Sequence, residues 1–251
     1  MAQTISIALA AGGIIVAAFV KGATGLGFPV IAVPVAAQFL DPQTTVVAIS
    51  IPAFVLNLIQ SLQSGIPTAL LRRFLPALVF LIPGAILGTA LLARVPGPMI
   101  TLSLGLIVTL YAILSIWRLR LVIQPSQERG AGAVFGLCGG LVGGATGMFS
   151  PLLVMYLTAL RLPKDAFIST VSLCFLAGQI PQLVSFVGFQ LLTGPRLRMA
   201  ALFCVLSAVG FLLGTRLQRA LSQQLFATGV LAVLLLVGLN LLRSGLVGLA
   251  H

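Results

Sequence analysis

The sequence predicts an all-α polytopic membrane protein of two homologous halves, each a glycine-broken helical hairpin followed by three transmembrane helices. Of the residues, 59% are hydrophobic and only 7% are charged, whereas soluble domains carry about 25% charged residues. Apolar runs long enough to cross a bilayer recur along the chain, and the mean hydropathy is +1.20. A glycine-rich motif also occurs twice, which indicates an internal duplication.

The repeated motif occupies residues 21–29 (KGATGLGFP) and 143–151 (GGATGMFSP). Glycine lets the backbone leave helical geometry, and proline is favoured in the first turn of a helix. Each copy is therefore predicted to end one helix, unwind, and start a second helix whose N-terminus faces the link. Peptide N–H groups at such a terminus attract anions. At an offset of 122 positions the identical pairs are Gly22/Gly144, Ala23/Ala145, Thr24/Thr146, Gly25/Gly147 and Pro29/Pro151.

The other elements follow from the apolar runs and from the polar or proline-containing breaks between them. A run at residues 4–20 leads into the link at 21–27 and a second run to about residue 40, followed by a turn at 41–43. The predicted spans of the first half are 44–63, 72–92 and 99–117. Residues 118–130 form the longest polar stretch, with Arg118, Arg120, Glu128 and Arg129. In the second half a run at 131–160 is broken at 143–147, and the spans are 167–190, 199–217 and 224–242.

The duplication extends beyond the motif. At the same offset Asn57 aligns with Gln179 and Gln60 with Gln182. The tripeptide at 87–89 matches the one at 213–215 when the offset is increased by four residues. We predict a first repeat at residues 1–120, a basic linker at 121–130 and a second repeat at 131–251, together forming one membrane domain. The N-terminal apolar run has no basic segment before it and leads into the first motif, so we interpret it as part of the mature protein rather than a signal peptide.

The sequence allows two orientations of the repeats. If each broken element crosses the membrane once, every half has four spans and the halves are parallel. If each is a hairpin, the count is odd and the halves are inverted. The number of basic residues that fall on the more basic side of the membrane is one higher in the hairpin arrangement than in the single-crossing arrangement. The positive-inside rule therefore favours the hairpins. The broken elements are also long for a single crossing, so we favour inverted hairpins.

Polar side chains within or beside the apolar runs are the candidates for ligand binding. Lys21 either pairs with an anion or extends to the membrane interface. Asn57 and Gln60 share a helix face, as do Gln179 and Gln182; these amides either donate to an anion or bond neighbouring helices. The small residues of the links could equally serve close helix packing. The predicted substrate-binding set is Lys21, Gly22, Ala23, Thr24, Gly25, Gly27, Asn57, Gln60, Gly144, Ala145, Thr146, Gly147, Gln179 and Gln182.

Several function classes are disfavoured by what the sequence contains. The three carboxylates, Asp41, Glu128 and Asp165, fall in predicted loops, and the single histidine is His251. No catalytic residue, metal site or cofactor is therefore predicted, and there is no Walker A sequence for ATP. The net charge of +11 comes from basic residues in short loops, where lipid headgroups and membrane orientation explain it, so nucleic acid is not a predicted partner. Coupling to the membrane potential or to sodium is left open.

The duplicated Gly-Ala-Thr-Gly, followed by a proline and a short apolar helix, resembles the TauE/SafE family of sulfite exporters and sulfonate-uptake permeases. The resemblance covers essentially the whole chain, including its size, its two halves and its basic linker. It implies transport of small sulfur-containing anions, such as sulfite, sulfoacetate or taurine-like sulfonates, across a bacterial inner membrane. The second copy departs from the first: Phe149 stands where Gly27 does, and Gly143 where Lys21 does.

We therefore hypothesise a secondary permease in which both links contribute to a midplane anion site and one bundle moves against the other. The alternatives are an anion channel built on the same links, an intramembrane enzyme, or a subunit that acts only in a larger assembly. The expected partners are a small sulfonate or sulfite and the lipid bilayer. A homodimer is compatible with the sequence, although no residue requires it.

Overall fold

The computed structural model describes residues 2–65, 68–117, 122–217 and 223–250. Arg118 and Arg120 of the predicted polar stretch at 118–130, and His251, lie outside the described residues. Within them the chain forms a short 3-10 helix at Pro125–Gln127 and ten α-helices. The α-helices are α1 (Ala2–Thr24), α2 (Phe28–Ala36), α3 (Pro42–Ser64), α4 (Thr68–Arg94), α5 (Gly97–Ile116), α6 (Glu128–Thr146), α7 (Ser150–Ala159), α8 (Lys164–Gly188), α9 (Gly194–Leu217) and α10 (Gln223–Ala250).

Seven of these helices are long and apolar enough to cross a membrane: α1, α3, α4, α5, α8, α9 and α10. The prediction of an all-α polytopic membrane protein is confirmed. Two helices, α2 with nine residues and α7 with ten, are too short for a span of about 20 residues. Helix α6 begins at Glu128, so helical structure extends into the stretch that the sequence predicts as linker.

Two compact units divide the chain, and each contains segments of both halves. The first unit comprises Met1–Pro52, Val95–Leu119 and Thr193–His251. In it α1 packs mainly against α9, and α5 packs against α10. Positions near the start of α5 contact the end of α10: Pro98 lies beside Gly248 and Leu102 beside Gly245, whereas Thr109 lies beside Gly238. Helices α5 and α10 are therefore antiparallel.

The second unit comprises Ala53–Arg94 and Arg120–Leu192. Its largest interface joins α4 to α6, and α8 packs against α4. Arg73 Nε and Nη2 donate to the two carboxylate oxygens of Glu128 at 2.8 and 2.5 Å. The Tyr156 hydroxyl donates to the Glu128 carbonyl at 3.3 Å. The first turn of α6 is thus held by both α4 and α7.

The same helix packing occurs once in each unit. A Cβ on Gly22 of α1 would overlap with the Phe211 carbonyl oxygen and lie 3.0 Å from Thr215 N on α9. A Cβ on Gly144 of α6 would overlap with the Ala85 carbonyl oxygen and lie 2.9 Å from Thr89 N on α4. These contacts are equivalent under the repeat, and glycine is needed at both positions because the facing atoms are backbone.

Candidate functional site

The two breaks have the same backbone geometry at their start. Helix α1 continues through Thr24 and α6 through Thr146, so the unwound residues are 25–27 and 147–149 rather than the whole predicted links. Gly25 N donates to the Lys21 carbonyl and Gly147 N to the Gly143 carbonyl, both at 2.7 Å. Gly25 has φ 81° and Gly147 φ 73°, left-handed conformations that end a helix and that glycine adopts without strain.

Each break also uses its threonine in the same way. Thr24 Oγ1 donates to the Val20 carbonyl at 2.8 Å, and Leu26 N donates to Thr24 Oγ1 at 3.3 Å. Thr146 Oγ1 donates to the Val142 carbonyl at 2.6 Å, and Met148 N donates to Thr146 Oγ1 at 3.3 Å. The threonine side chains therefore stabilise the backbone of the breaks. Their predicted role in substrate binding is a separate one.

The short helices that follow the breaks fold back along the preceding helices. Val35 of α2 lies beside Gly13 of α1, and Leu153 of α7 lies beside Gly139 of α6. Pro29 and Pro151 occupy the first turns of α2 and α7, as expected for a residue without an N–H group. The N-termini of α2 and α7 thus face the breaks.

Two of the differences between the breaks change the space and the charge at the link. Gly27 precedes α2 with φ 91°, and a Cβ at this position would meet nothing within 4 Å. Its counterpart Phe149 has φ −74°, is 2% exposed, and presses its ring against Gly143 and Gly178. The first break is therefore open beside Gly27, while the ring of Phe149 fills the space beside the second.

Lys21 marks the second difference, because its counterpart is Gly143. The Lys21 side chain is 2% exposed, in the last turn of an apolar helix long enough to span a membrane. Removing an ammonium group from water is costly unless an opposite charge or hydrogen-bond acceptors compensate it, and such residues within membrane spans often mark ion or substrate pathways. Extension of Lys21 to a solvated interface is inconsistent with this burial.

The predicted amides lie together in the second unit. Asn57 Nδ2 of α3 donates to Gln179 Oε1 of α8 at 2.9 Å. Gln182 Nε2 donates to the Gly143 and Gly144 carbonyls at 3.0 and 3.1 Å, which ties α8 to the second break. Gln60 is 7% exposed. Interhelical hydrogen bonding, which the sequence allowed as an alternative role, therefore occurs for Asn57, Gln179 and Gln182.

Some polar groups near the second break were missed by the sequence analysis. Thr89 Oγ1 donates to the Gly144 carbonyl at 3.4 Å as well as to its own helix. Gln182 Oε1 and Ser150 Oγ are buried and have no hydrogen-bond partner in the part of the chain that is described. Ser150 could have been found from its position beside Pro151 at the start of α7, but its lack of a partner requires coordinates.

A comparison with known protein families places these features in context. The chain matches the sulfite exporter TauE/SafE family over residues 9–241, nearly its whole length. The chain belongs to the TauE/SafE sulfite exporter family. Members of this family are membrane transporters for sulfite and related sulfur-containing anions, so this TauE/SafE chain is a transporter of that type. Comparisons with curated proteins and with solved structures found no match.

Among the described residues there is no group of three or more histidine, cysteine or carboxylate side chains that could hold a metal ion. The described ion pair outside the breaks is Arg73–Glu128, where the hydrogen bonds from Arg73 lower the pKa of the Glu128 carboxyl below its ordinary value. This pair joins α4 to the start of α6, at the end of that helix remote from the second break, which indicates a structural role.

Proposed function

We propose that this TauE/SafE protein is a secondary carrier that moves small sulfur-containing anions, such as sulfite, sulfoacetate or taurine-like sulfonates, across the bacterial inner membrane by alternating access. The observation that carries the proposal is the buried Lys21 at an open, left-handed break. An ammonium group there offsets the charge of a sulfonate, and the amides at the start of α2 add hydrogen-bond donors.

The first break supplies the chemistry that this proposal needs. Lys21 provides the positive charge, and Gly25 and Gly27 allow a close approach of ligand oxygens to the backbone because neither carries a side chain. The space beside Gly27 is where we place the anion. Gly22, Ala23 and Thr24 shape the end of α1. With Lys21 as its one fixed positive charge and peptide N–H groups as further donors, such a site selects anions. Because only one fixed charge holds the anion, the anion can also be released.

The second break and its amides are proposed to contribute to transport in the second unit. Gly144, Ala145 and Thr146 form the end of α6 and Gly147 caps it, and Gln182 Nε2 donates to the Gly143 and Gly144 carbonyls. Asn57, Gln60, Gln179 and Gln182 are proposed to present amide groups to the permeation path. In this proposal the Asn57–Gln179 bond also joins α3 to α8.

We further propose that the two repeats are inverted. Helices α5 and α10 are the last helices of the two halves, so they are equivalent. Parallel repeats would direct equivalent helices the same way through the membrane, whereas α5 and α10 are antiparallel in the first unit. The backward course of α2 along α1 and of α7 along α6 also favours hairpins over single crossings. Inverted repeats are a common basis of alternating access.

The direct test is transport by purified protein in proteoliposomes. Labelled sulfite, sulfoacetate and taurine would be offered separately, with empty vesicles as the control. We expect saturable uptake of at least one substrate and acceleration by unlabelled substrate on the opposite side. Flux no greater than that of empty vesicles for all three would remove the proposal. Large unitary currents without counterflow would favour the anion channel.

A further inference from the structure

The polar atoms around the second break differ in kind from those around the first. Gln182 Oε1 is an acceptor without a donor in the described structure, and its side chain is 0% exposed. The orientation of this amide is fixed because Nε2 donates to two carbonyls at 3.0 and 3.1 Å. Exchanging the two atoms would set Oε1 against carbonyl oxygens. The side-chain atom of Gln182 that has no partner in the described structure is therefore an oxygen, and it repels the oxygens of a sulfonate.

A second buried oxygen lies at the same break. Ser150 Oγ is in the first turn of α7, its side chain is 5% exposed, and it has no partner in the described structure. Ser150 follows Phe149, whose ring lies against Gly143, and Gln182 Nε2 bonds the Gly143 carbonyl. Both unpartnered oxygens thus belong to residues at the second break: Ser150 opens the helix that follows it, and Gln182 bonds the last turn of the helix that precedes it. A buried oxygen acceptor left without a donor is costly, so a ligand that satisfies it is favoured.

The helix that ends at this break supplies oxygen acceptors for a positive ligand, opposite the N-terminus of α7, whose dipole has the other sign. Residues 143–146 form the last turn of α6, and the C-terminal end of a helix carries a partial negative charge. Broken transmembrane helices commonly bind sodium through such ends and their unwound carbonyls. The position that holds a lysine in the first break is Gly143 here. The ring of Phe149 between Gly143 and Gly178 restricts the occupant to a small one.

We propose that the second break binds one sodium ion, held by Gln182 Oε1, Ser150 Oγ and carbonyl oxygens of residues 145–147. The ion couples anion movement to the sodium gradient. This inference rests on the proposed transport function only for the coupling; binding of the ion stands independently. The duplicated motif would then have diverged into an anion site in the first unit and a cation site in the second.

The test is the thermal stability of the purified full-length protein without any sulfonate, in sodium, potassium or choline chloride at equal ionic strength. A ligand that binds only the folded state raises the melting temperature, by roughly 5–10 °C at 100 times its dissociation constant for a chain of this size. We expect this shift with sodium and a smaller one with potassium, relative to choline. Equal melting temperatures in the three salts would show that sodium does not stabilise the folded protein and would overturn the proposal. An equal or larger shift with potassium would overturn the assignment to sodium.

Variants locate the ion. Ser150→Ala removes an oxygen that bonds nothing in the described protein, so we expect it to fold and to lose most of the sodium shift. Gln182→Leu removes the second oxygen and should also abolish the shift. The matched control is Thr170→Val, which removes another buried, unpartnered hydroxyl twelve positions earlier on α8 and should keep the full shift. A sodium shift retained in both Ser150→Ala and Gln182→Leu would contradict the site.

Two measurements on the same protein, stabilisation by sodium and flux of labelled sulfonate, distinguish this inference from the proposed function. Sodium stabilisation that Ser150→Ala abolishes, in a protein that transports no sulfonate, would support the ion site and reject the transport function. Sulfonate flux that is the same in sodium and choline, with no sodium stabilisation, would support the function and reject the ion site. Flux that falls at least tenfold when choline replaces sodium supports both.

Discussion

The two breaks share a backbone and differ in their side chains. In each, a threonine closes the helix end, a left-handed glycine follows, and a proline opens a short helix. The first break has a buried lysine and open space beside Gly27; the second has Phe149 in that space and unpartnered oxygens on Ser150 and Gln182. The repeated motif therefore keeps the same backbone in both breaks, while the side chains around it differ in charge and size.

The largest expected effect tests the charge that only the first break carries. Lys21→Met keeps the length and apolar stem of the side chain but removes the ammonium group. A hydrogen bond to a charged group contributes about 1.5–3 kcal/mol, so we expect sulfonate flux at limiting substrate to fall roughly 10–150-fold. The measurement is initial uptake into proteoliposomes, with Lys21→Arg expected to retain part of the flux.

Arg129→Gln is the matched control for Lys21→Met, because it also removes one positive charge but from an exposed residue in the first turn of α6. Its flux should equal that of the wild type. If Lys21→Met and Arg129→Gln transport equally well, the charge of Lys21 does not contribute to transport. The difference in charge between the two breaks would then have no role in function.

The next effect tests what the breaks have in common. Gly22→Ala and Gly144→Ala each place a Cβ against backbone atoms of a parallel helix. Overpacking costs about 1–3 kcal/mol, which corresponds to a fall in melting temperature of roughly 2–12 °C for a chain of this size. Both variants should be affected similarly, since the two contacts are equivalent under the repeat.

Gly12→Ala provides the control for these glycine variants, since a Cβ on Gly12 of α1 would meet nothing within 4 Å. It should leave the melting temperature unchanged or raise it, because alanine favours helix. A loss of stability in Gly12→Ala as large as in Gly22→Ala would mean that close helix packing is not the reason for the shared geometry of the breaks.

The sequence predicted the helical architecture because hydropathy and length decide which segments can cross a bilayer. It also predicted both breaks, since glycine and proline punctuate a chain locally. It placed the start of the unwound segments about four residues early, at residues 21 and 143. Residues 22–24 and 144–146 stay helical because packing against α9 and α4 stabilises them.

The environment of the side chains could not be predicted in the same way. The burial of Lys21, the space filled by Phe149 and the partners of Gln182 all depend on helices distant in sequence. The offset of 122 pairs Asn57 with Gln179, yet an alignment of two repeats cannot show that these two residues bond each other. Equivalence in sequence and contact in space are independent facts.

A third, smaller effect tests that contact between equivalent positions. Asn57→Leu and Gln179→Leu should together cost less than the sum of the single changes, because either single change already breaks the Asn57–Gln179 bond while the other amide stays buried. Double-mutant cycles for hydrogen bonds between transmembrane helices give about 0.6 kcal/mol on average, and we expect a coupling of that order from unfolding midpoints.

The controls are Ser50→Ala and Ser172→Ala, whose hydroxyls bond the Val46 and Ile168 carbonyls of their own helices. These two changes should be additive; coupling as strong as that of the amides would contradict a specific Asn57–Gln179 interaction.

The smallest effect tests a difference at the start of the hairpins. Glu128 begins α6 and pairs with Arg73 of α4, whereas its counterpart on α1 is the uncharged Ser6. The hydrogen bonds from Arg73 lower the pKa of the folded Glu128 carboxyl. The pair's stabilisation is therefore complete above the ordinary glutamate pKa and is lost as the pH falls through the lower, folded-state value. Because this pair is partly exposed, its contribution should be about 0.2–1 kcal/mol. Unfolding midpoints measured between pH 7 and pH 3 should fall less steeply for Glu128→Gln than for the wild type, and parallel profiles would show that the pair does not stabilise the second hairpin.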